Sequence, residues 1–353
     1  MQHEDELYDV TIVGGGPAGL YAAFYSGMRD MKTKLIEAKN ELGGKLLIYP
    51  EKIIWDVGGI TPIRCDQLIE QLIEQAKTFD PTIVLEQQVA HVERMHDGTW
   101  LMTSHSGERH YTRTIILAGG YGVWQPTKLE LEGTDRYEVT NLHYTVTSLE
   151  RFRNKRVLLS GGSDTAVDWA MALENIASEV ILVHRRERLG GHEKNVSYVM
   201  QSSIQVLHPY QIAQLHGKGN AIDAVTLAGV DNNGDHTDET LNIAIDDVII
   251  NHGSSGNHAD LLNWGLDMES SSVYAYDQLT TNLSGIFVAG DMAYYPDKLK
   301  LIAGAFNDAA VAVNGAKLYI DPQSASTAYV SSHNGVFNER NQAWLNKRNK
   351  PIK

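Results

Sequence analysis

The chain has 353 residues, of which 42% are hydrophobic and 21% charged, and its formal net charge is −14 at pH 7. This composition favours a soluble globular protein with two domains, and the acidic balance argues against nucleic acid or an anionic membrane as partner. The single cysteine, Cys65, excludes an internal disulfide, a CxxC redox pair and a multi-cysteine metal site, and the lack of a signal peptide or long apolar run predicts a cytoplasmic protein.

The first patterned segment, YDVTIVGGGPAGLYAAFYSG at 8–27, predicts a strand, a tight glycine turn and a helix. Gly14, Gly16 and Gly19 form a G-x-G-x-x-G pattern in that turn, and Glu37 follows at the end of the next predicted strand. The glycines let the backbone approach a pyrophosphate at the helix N-terminus, while the acid accepts hydrogen bonds from ribose hydroxyls. The combination predicts dinucleotide binding, the alternative being an ordinary glycine-rich turn.

Residues 83–117 are predicted as short strands with turns, which suits an antiparallel layer. The histidines in this region have spacings that match no metal site, so we predict no metal there; they are His91, His96, His105 and His110.

A second strand–turn–helix pattern, KRVLLSGGSDTAVDWAMAL, occupies 155–173. It contains a G-x-G-x-x-A pattern that begins at Gly161 and has Ser163 in place of the middle glycine. Serine is small enough for a phosphate to approach, and Asp164 and Thr165 complete the candidate turn. Two such units in one chain predict two nucleotide-binding domains.

Basic residues follow the second strand of this unit, where an NAD-binding domain places an acid. His184 is followed there by Arg185 and Arg186. A ribose 2′-phosphate is repelled by a carboxylate and is held by guanidinium groups in charge-assisted bonds. The two arginines therefore predict NADPH as the coenzyme, with a solvated charged surface as the alternative.

The last third of the chain contains two further patterns. DNNGDHTD at 231–238 is predicted as a hairpin turn and not a calcium loop, because its glycine is fourth and Asn242 stands where the bidentate glutamate would be. LSGIFVAGD, which ends at Asp291, leads into an apolar helix, and we expect the polar, basic stretch from Asn338 to be loosely held.

The chain resembles the thioredoxin-reductase-like flavoproteins, and within them the ferredoxin or flavodoxin NADP reductases of that type, over about residues 7–337. The resemblance is carried by GGGPAGLYAA, LGGKLLIYPEK, WDVGG, LAGGYGVWQP, SGGSDTAVDW, HRRERLGGHE, NWGLDM and VAGDMAYYPDKLKLIAGAFNDAAVAVNGA. It implies an α/β fold of two Rossmann-like domains with a three-layer ββα organisation. An FAD-binding domain would comprise 1–122 and 250–353 and an NADPH-binding domain 123–249, in a homodimer.

The same resemblance assigns roles toward FAD to residues outside the first glycine turn. Lys45, where the family usually has glutamine, would lie near the flavin, and Tyr49 would stack on the isoalloxazine unless it is a core aromatic. Val89 would contact the adenine region of FAD through its backbone, and Asp291 would bind the ribityl chain. Trp124 stands where the family frequently has phenylalanine, in a GxFxP-like hinge. Glu37 would bind the adenosine ribose.

The family's ferredoxin reductases extend the C-terminus with a histidine-containing segment that covers the flavin. SSHNGVF, with His333 and Phe337, is similar to that segment, so His333 is a candidate flavin-stacking lid. The alternative is an exposed loop histidine.

The predicted activity is flavin-dependent electron transfer between NADPH and ferredoxin or flavodoxin, with FAD and NADP(H) as cofactors. Hydride transfer to the flavin needs no acid or base from the protein, and the missing CxxC rules out disulfide reduction by an internal dithiol. The alternatives are an NADPH diaphorase that reduces quinones or free flavins, and a non-catalytic FAD or NADPH sensor. The presence of both nucleotide motifs favours catalysis.

An acidic carrier needs a local positive potential to approach a chain of charge −14. Lys298 and Lys300 lie near Asp291, and the tail has five basic residues against Glu339, so a patch formed by these groups is one hypothesis. A disordered solubilising tail is the other. The basic residues of the tail are Arg340, Lys347, Arg348, Lys350 and Lys353.

Overall fold

A computed structural model describes residues 6–257 and 259–348, without the side chains of 123, 124, 255–257, 259, 347 and 348. The chain divides into two compact units. Unit 1 takes the residues up to Leu47, Ile53–Val123 and the residues from Gly256 on, and unit 2 takes Ile48–Lys52 and Trp124–Ser255.

The strands are β1 Leu7–Val13, β2 Thr33–Ile36, β3 Ile53–Ile54, β4 Ile63–Arg64, β5 Thr82–Val84, β6 Val89–Arg94, β7 Trp100–Ser104, β8 Arg109–Leu117, β9 Val123–Pro126, β10 Leu142–His143, β11 Arg156–Ser160, β12 Glu179–Val183, β13 Gln205–Leu207, β14 Tyr210–Lys218, β15 Ala221–Val230, β16 His236–Ala244, β17 Asp247–Ile250, β18 Ser254–Asn257, β19 Met268–Glu269, β20 Ser272–Tyr274, β21 Ile286–Val288 and β22 Ala293–Tyr294. The helices are α1 Pro17–Met28, α2 Cys65–Ala76, α3 Asp135–Glu138, α4 Asp164–Leu173, α5 Glu193–Gln201, α6 Ala259–Leu262, α7 Ile302–Ile320 and α8 Asn338–Arg348.

The main sheet of unit 1 has the order β5-β2-β1-β8-β7-β6, and β21 also pairs with β8. β5, β2, β1, β8 and β21 run parallel, whereas β6, β7 and β8 form the antiparallel layer predicted for 83–117. Val10 and Ile12 of β1 have no exposed surface, as expected for a central strand of a covered parallel sheet. Helix α7 packs against α1. The carboxyl ends of β1, β2 and β8 thus lie together at one edge of this sheet.

Unit 2 has three layers. A parallel sheet in the order β10-β17-β11-β12-β13 lies between helices and the antiparallel sheet β14-β15-β16. On β11, Val157 and Leu159 pack in one core with Trp169 of α4, while Leu158 packs in a second core with Leu227 of β15. Successive strand residues face opposite sides, so one apolar strand fills both cores. The predicted α/β fold with ββα layers is confirmed.

Two local predictions have different outcomes. The segment 231–238 is a hairpin between β15 and β16, as predicted, and the Asp231 carboxylate accepts the N–H groups of Asn233 and Asp235. The described part of the stretch from Asn338 forms the helix α8, whose described side chains are all exposed, so the expectation that it is loosely held stays a prediction. The preceding Phe337 ring packs 5.5 Å from that of Phe79.

Candidate functional site

The first glycine turn leaves no room for side chains. A Cβ on Gly14, whose φ is +112°, would lie 2.5 Å from the Ala118 carbonyl oxygen at the end of β8. A Cβ on Gly19 would lie 1.8 Å from the Gly14 carbonyl oxygen. Among the described residues no side chain caps α1 at Gly16, so no side chain competes with an anion for the N–H groups of its first turn. The turn thus has the geometry predicted for a pyrophosphate.

Glu37 follows β2 and is tied to this turn. Its Oε2 accepts the Gly15 N–H at 2.6 Å, and its Oε1 accepts the Lys39 N–H at 2.9 Å. A carboxylate oxygen has two lone pairs, so each oxygen can still accept a hydrogen bond from a ribose hydroxyl. The hydrogen bonds fix the acid in place before any ligand arrives.

Two glycines bring further segments to the start of α1. Gly44, with φ +61°, approaches so closely that its Cβ would lie 2.7 Å from the Gly16 Cα. Gly290, with φ +72°, would place a Cβ 2.9 Å from that of Ala18. We call the convergence of 14–19, Glu37, 43–45, 118–121 and 290–291 the first cradle. It brings together the candidate residues Gly14, Gly16, Gly19, Glu37, Lys45 and Asp291.

Lys45 and Lys300 flank an exposed tyrosine at this cradle. Their Nζ atoms lie 5.0 Å and 5.3 Å from the centroid of the Tyr121 ring, which is 37% exposed. Both contacts are within the range of a cation–π interaction. The sequence analysis missed Tyr121, although an aromatic directly after Gly119 and Gly120 was a usable signal.

Lys298 does not belong to a positive surface patch, which corrects part of the charge hypothesis. Its Nζ forms a buried ion pair with Asp308 of α7. Asp308, 1% exposed, also accepts the Gly290 N–H at 3.0 Å and the Tyr295 hydroxyl at 2.7 Å. It therefore anchors the segment that contains Asp291. Asp308 was missed as well, although an acid inside an apolar helix pattern is an indication of such a role.

The other FAD candidates lie in different surroundings. Val89 begins β6 and is buried in the core of unit 1. Tyr49 belongs to the segment that clusters with unit 2, where it packs against the apolar core next to α4. Trp124 lies in β9, and its side chain is outside the described part of the chain. Their roles toward the flavin stay predictions.

His333 is exposed in a short 3₁₀ turn, Ser331–His333. Its Nδ1 lies 3.3 Å from the Ser332 hydroxyl, and the chain continues to Phe337, which packs 6.4 Å from the ring of Phe24 on α1. Phe24 lies in the second half of α1, whereas the cradle lies at its start. The proposed stacking of His333 on the flavin stays a prediction.

The second glycine turn, in unit 2, is equally tight. A Cβ on Gly161 would lie 2.5 Å from the Asn251 carbonyl oxygen, and one on Gly162 would lie 2.3 Å from atoms of the His184 ring. The next three residues, Ser163 to Thr165, are exposed at the N-terminus of α4. The Asp164 carboxylate accepts the His192 N–H at 2.7 Å and so holds the following loop at the turn.

The candidate 2′-phosphate site lies beside this turn. β12 ends at Val183, and the exposed Arg185 and Arg186 follow His184. Partial burial, and then the charges of Arg186 and Arg185, lower the pKa of His184. The structure thus concentrates positive charge at the carboxyl end of β12, where a Rossmann unit contacts the adenosine ribose.

Comparisons with known proteins identify the family of the chain. The sequence profile of the pyridine nucleotide-disulphide oxidoreductases matches residues 8–316. The chain belongs to this family. Within it, the protein called Ferredoxin--NADP reductase 1 of Bacillus pumilus (strain SAFR-032) is 51% identical and covers 97% of this chain and 98% of its own length. The protein of the same name from Shouchella clausii (strain KSM-K16) is also 51% identical, over 96% of each chain.

Two solved structures share the fold. Lactococcus lactis thioredoxin reductase, in its FR conformation, has a TM-score of 0.74 at 26% identity and covers 89% of this chain and 99% of its own. The bacillithiol disulfide reductase Bdr of Staphylococcus aureus has a TM-score of 0.68 at 19% identity over 90% and 99%, which shows the fold alone. The resemblance recognised in the sequence motifs is confirmed. None of the described helices is both long and apolar enough to cross a membrane.

Proposed function

We propose that the chain is a ferredoxin–NADP reductase that transfers electrons between NADPH and ferredoxin or flavodoxin. The observation that carries the proposal is the 51% identity, over nearly the whole length, to proteins with that name. The enzyme uses FAD and NADP(H), and the structure contains a glycine turn for each. Reduction of quinones or free flavins as the main activity is not favoured by any of these observations.

The residues of the first cradle fit FAD. The glycine turn and the start of α1 would hold the pyrophosphate, Glu37 the ribose, and Asp291 the ribityl chain. When bound, FAD accepts a hydride and releases electrons singly, which links a two-electron coenzyme to a one-electron carrier. The protein then binds and orients, and it needs no side chain as acid or base.

Cysteine chemistry plays no part in this proposal. The only cysteine of the chain, Cys65, is buried at the start of α2, and burial raises the pKa of its thiol to about 12. The thiol therefore stays protonated at neutral pH and is a poor nucleophile. This separates the chain from disulfide reductases of similar fold.

The finer assignments are proposals too. Residues 1–122 and 250–353 would form the FAD-binding domain and 123–249 the NADPH-binding domain of a cytoplasmic homodimer, without nucleic-acid or membrane partners. The exposed Lys45 and Lys300 support an acidic carrier as partner, because they place positive charge at the first cradle of a chain with net charge −14.

The test is anaerobic rapid mixing of the FAD-loaded protein with NADPH or NADH, followed by ferredoxin, flavodoxin, a quinone or free flavin. We expect flavin absorbance to bleach faster with NADPH and the one-electron carriers to be reduced. Reduction of the quinone alone would contradict the proposal in favour of a diaphorase. A flavin that NADPH cannot bleach would indicate a non-catalytic sensor.

A further inference from the structure

Histidines follow three of the parallel strands in the five-stranded sheet of unit 2. His184 comes directly after β12, His208 directly after β13, and His252 two residues after β17. Carboxyl ends of parallel strands meet at one edge of a sheet, which is also the edge where the second glycine turn follows β11. The imidazoles therefore lie where the phosphates of a dinucleotide would bind.

Two of these rings touch the turn itself. The His184 ring occupies the space next to Gly162, where a Cβ would come within 2.3 Å of it. The His252 Nε2 lies 2.8 Å from the hydroxyl of Ser160, the residue before Gly161. His252 is exposed and His184 is half-buried, so both rings are open to protons from solvent.

The charged groups described around both rings are positive. The pKa of His184 is affected by the positive charges of Arg185, Arg186 and His208. Its ring also forms a hydrogen bond with the backbone of Arg188. The pKa of His252 is affected by the charges of Arg185 and His184. Desolvation of the rings by the surrounding protein atoms, and then these positive charges, lower the pKa of both imidazoles. Both are therefore neutral near pH 7 before an anion binds.

We infer that His184 and His252 are positioning residues that take up protons when the coenzyme's phosphates bind at the second glycine turn. The inference rests on the proposed function, because it takes NADP(H) as the ligand of unit 2. Phosphate charge next to an imidazole favours the imidazolium form, so the proton comes from solvent and stays on a ring nitrogen. The Ser160 hydroxyl can donate to neutral His252 or accept from the protonated ring, so its hydrogen bond is kept in both states.

Proton uptake makes coenzyme affinity depend on pH. Each proton taken up tightens binding by about tenfold for each unit that the pH falls, within the window between the pKa values of the free and bound protein. Both imidazoles have lowered pKa values in the free protein, so the window begins below their ordinary range and ends at the higher pKa of the phosphate-bound rings, which the inference places above neutral pH. The enzyme should bind NADP(H) more tightly at pH 6.5 than at pH 7.5.

The test is calorimetric titration of the FAD-loaded protein with NADP⁺ at pH 7 in buffers of different ionisation enthalpy, which counts the protons taken up. The 2′-phosphate of the coenzyme titrates near pH 6 itself, so the measure is the difference between proteins. We expect about one to two protons more for the wild type than for His184→Gln with His252→Gln, because the double variant lacks both imidazoles. His216→Gln is the matched control, because the His216 Nε2 also bonds a hydroxyl, that of Thr226, at 2.6 Å inside unit 2.

Equal proton uptake by wild type and double variant would overturn the inference and leave the proposed function standing. A wild type that does not bind NADP⁺ would overturn both. If the double variant fails to fold, the inference is tested by the proton uptake of the single variants His184→Gln and His252→Gln and by the pH dependence of the wild-type affinity for NADP⁺. An affinity for NADP⁺ that is the same at pH 6.5 and 7.5 would then overturn the inference.

Discussion

At the scale of single residues, Arg185 and Arg186 are proposed to set the choice of coenzyme. Both are exposed at the end of β12, so neither is required for packing. Loss of one charge-assisted contact to the 2′-phosphate costs about 1.5–3 kcal/mol, or roughly one to two decades of affinity. Arg185→Ala with Arg186→Ala should raise KM for NADPH at least tenfold and leave KM for NADH nearly unchanged.

Steady-state kinetics with both coenzymes check this prediction. Lys218→Ala, which removes an exposed cation from β14 of the same unit, is the control and should change neither KM. Equal losses with NADPH and NADH would show that the arginines support the fold of the site and not the 2′-phosphate.

A second residue-scale prediction concerns stability. His110 is 5% exposed, and burial, then the nearby Lys34, lower its pKa to about 4. The Lys34 Nζ is 3.3 Å from the His110 Nδ1. In the unfolded chain the His110 imidazole binds a proton near pH 6.5, whereas in the folded protein it does so only near pH 4. The free energy of unfolding therefore has its full contribution from His110 above about pH 6.5 and loses it as the pH falls toward about 4.

The loss amounts to up to about 3 kcal/mol by linkage. Urea unfolding at pH 5 and 7.5 should therefore show a smaller pH dependence for His110→Gln than for the wild type. His96→Gln, in an exposed turn, is the control. If the free energy of unfolding of His110→Gln changed between pH 5 and 7.5 as much as that of the wild type, groups other than His110 would be responsible for the pH dependence.

The site residues that could be predicted from the sequence are those whose positions are fixed by the neighbouring strand and turn. The position of Glu37 relative to the glycine turn, and of Arg185 relative to β12, follows from strand and turn spacing within one βαβ unit. The pairing of Lys298 with Asp308 and the packing of Tyr49 in unit 2 depend on which distant segments meet. Periodicity and spacing carry no information about contacts between distant segments, so Lys298 was wrongly predicted to belong to a surface patch.

At the scale of elements, the first glycine turn is a junction between β1, α1 and β8. A Cβ at Gly19 would lie 1.8 Å from the Gly14 carbonyl oxygen, so Gly19→Ala must push α1 away from the turn. Overpacking of this kind costs about 1–3 kcal/mol, which we expect to appear as weaker FAD binding by roughly five- to 150-fold.

The flavin-to-protein absorbance ratio after purification and an FAD titration measure the effect. Gly58→Ala is the matched control, because a Cβ there has no neighbour within 4 Å and the backbone needs no left-handed φ. Full FAD occupancy of Gly19→Ala at submicromolar flavin would contradict the role given to the turn.

The same scale separates what helical and strand patterns predict from what they do not. Both strand–turn–helix units, the antiparallel strands of 83–117 and the hairpin at 231–238 have strong local patterns and were predicted. The polar sequence of α8 has no apolar face and predicted a loose tail. Its position depends on Phe337 beside Phe79, and on Arg340, which bonds to the Thr78 carbonyl.

At the scale of the whole molecule, the charge of −14 opposes the approach of an acidic carrier. Lys300, exposed beside Tyr121, is a positive group at the first cradle that can offset this repulsion. Lys300→Gln should lower the second-order rate constant for carrier reduction by roughly two- to fivefold at low salt. The deficit should shrink above 0.1 M salt, where the Debye length is about 10 Å.

Stopped-flow reduction of the carrier across a salt series measures this, with a neutral quinone as reference acceptor. Lys77→Gln, which removes an exposed cation after α2, is the control. A deficit that persists at high salt would point to a lost short-range contact instead of long-range attraction.

The interrupted course of unit 1 along the chain has a consequence for biosynthesis. Its sheet needs β21 beside β8, and the first cradle needs Gly290 and the Asp308 anchor, all of which follow the last residue of unit 2. The segment Trp124–Ser255 is continuous and can fold on emergence from the ribosome, because domains fold as units during synthesis. Residues up to Val123 must wait for their partners about 160 residues later, which at roughly 5–20 residues per second takes on the order of ten seconds or more. The nascent protein would therefore form the proposed NADPH site of unit 2 before the proposed FAD site of unit 1 is complete.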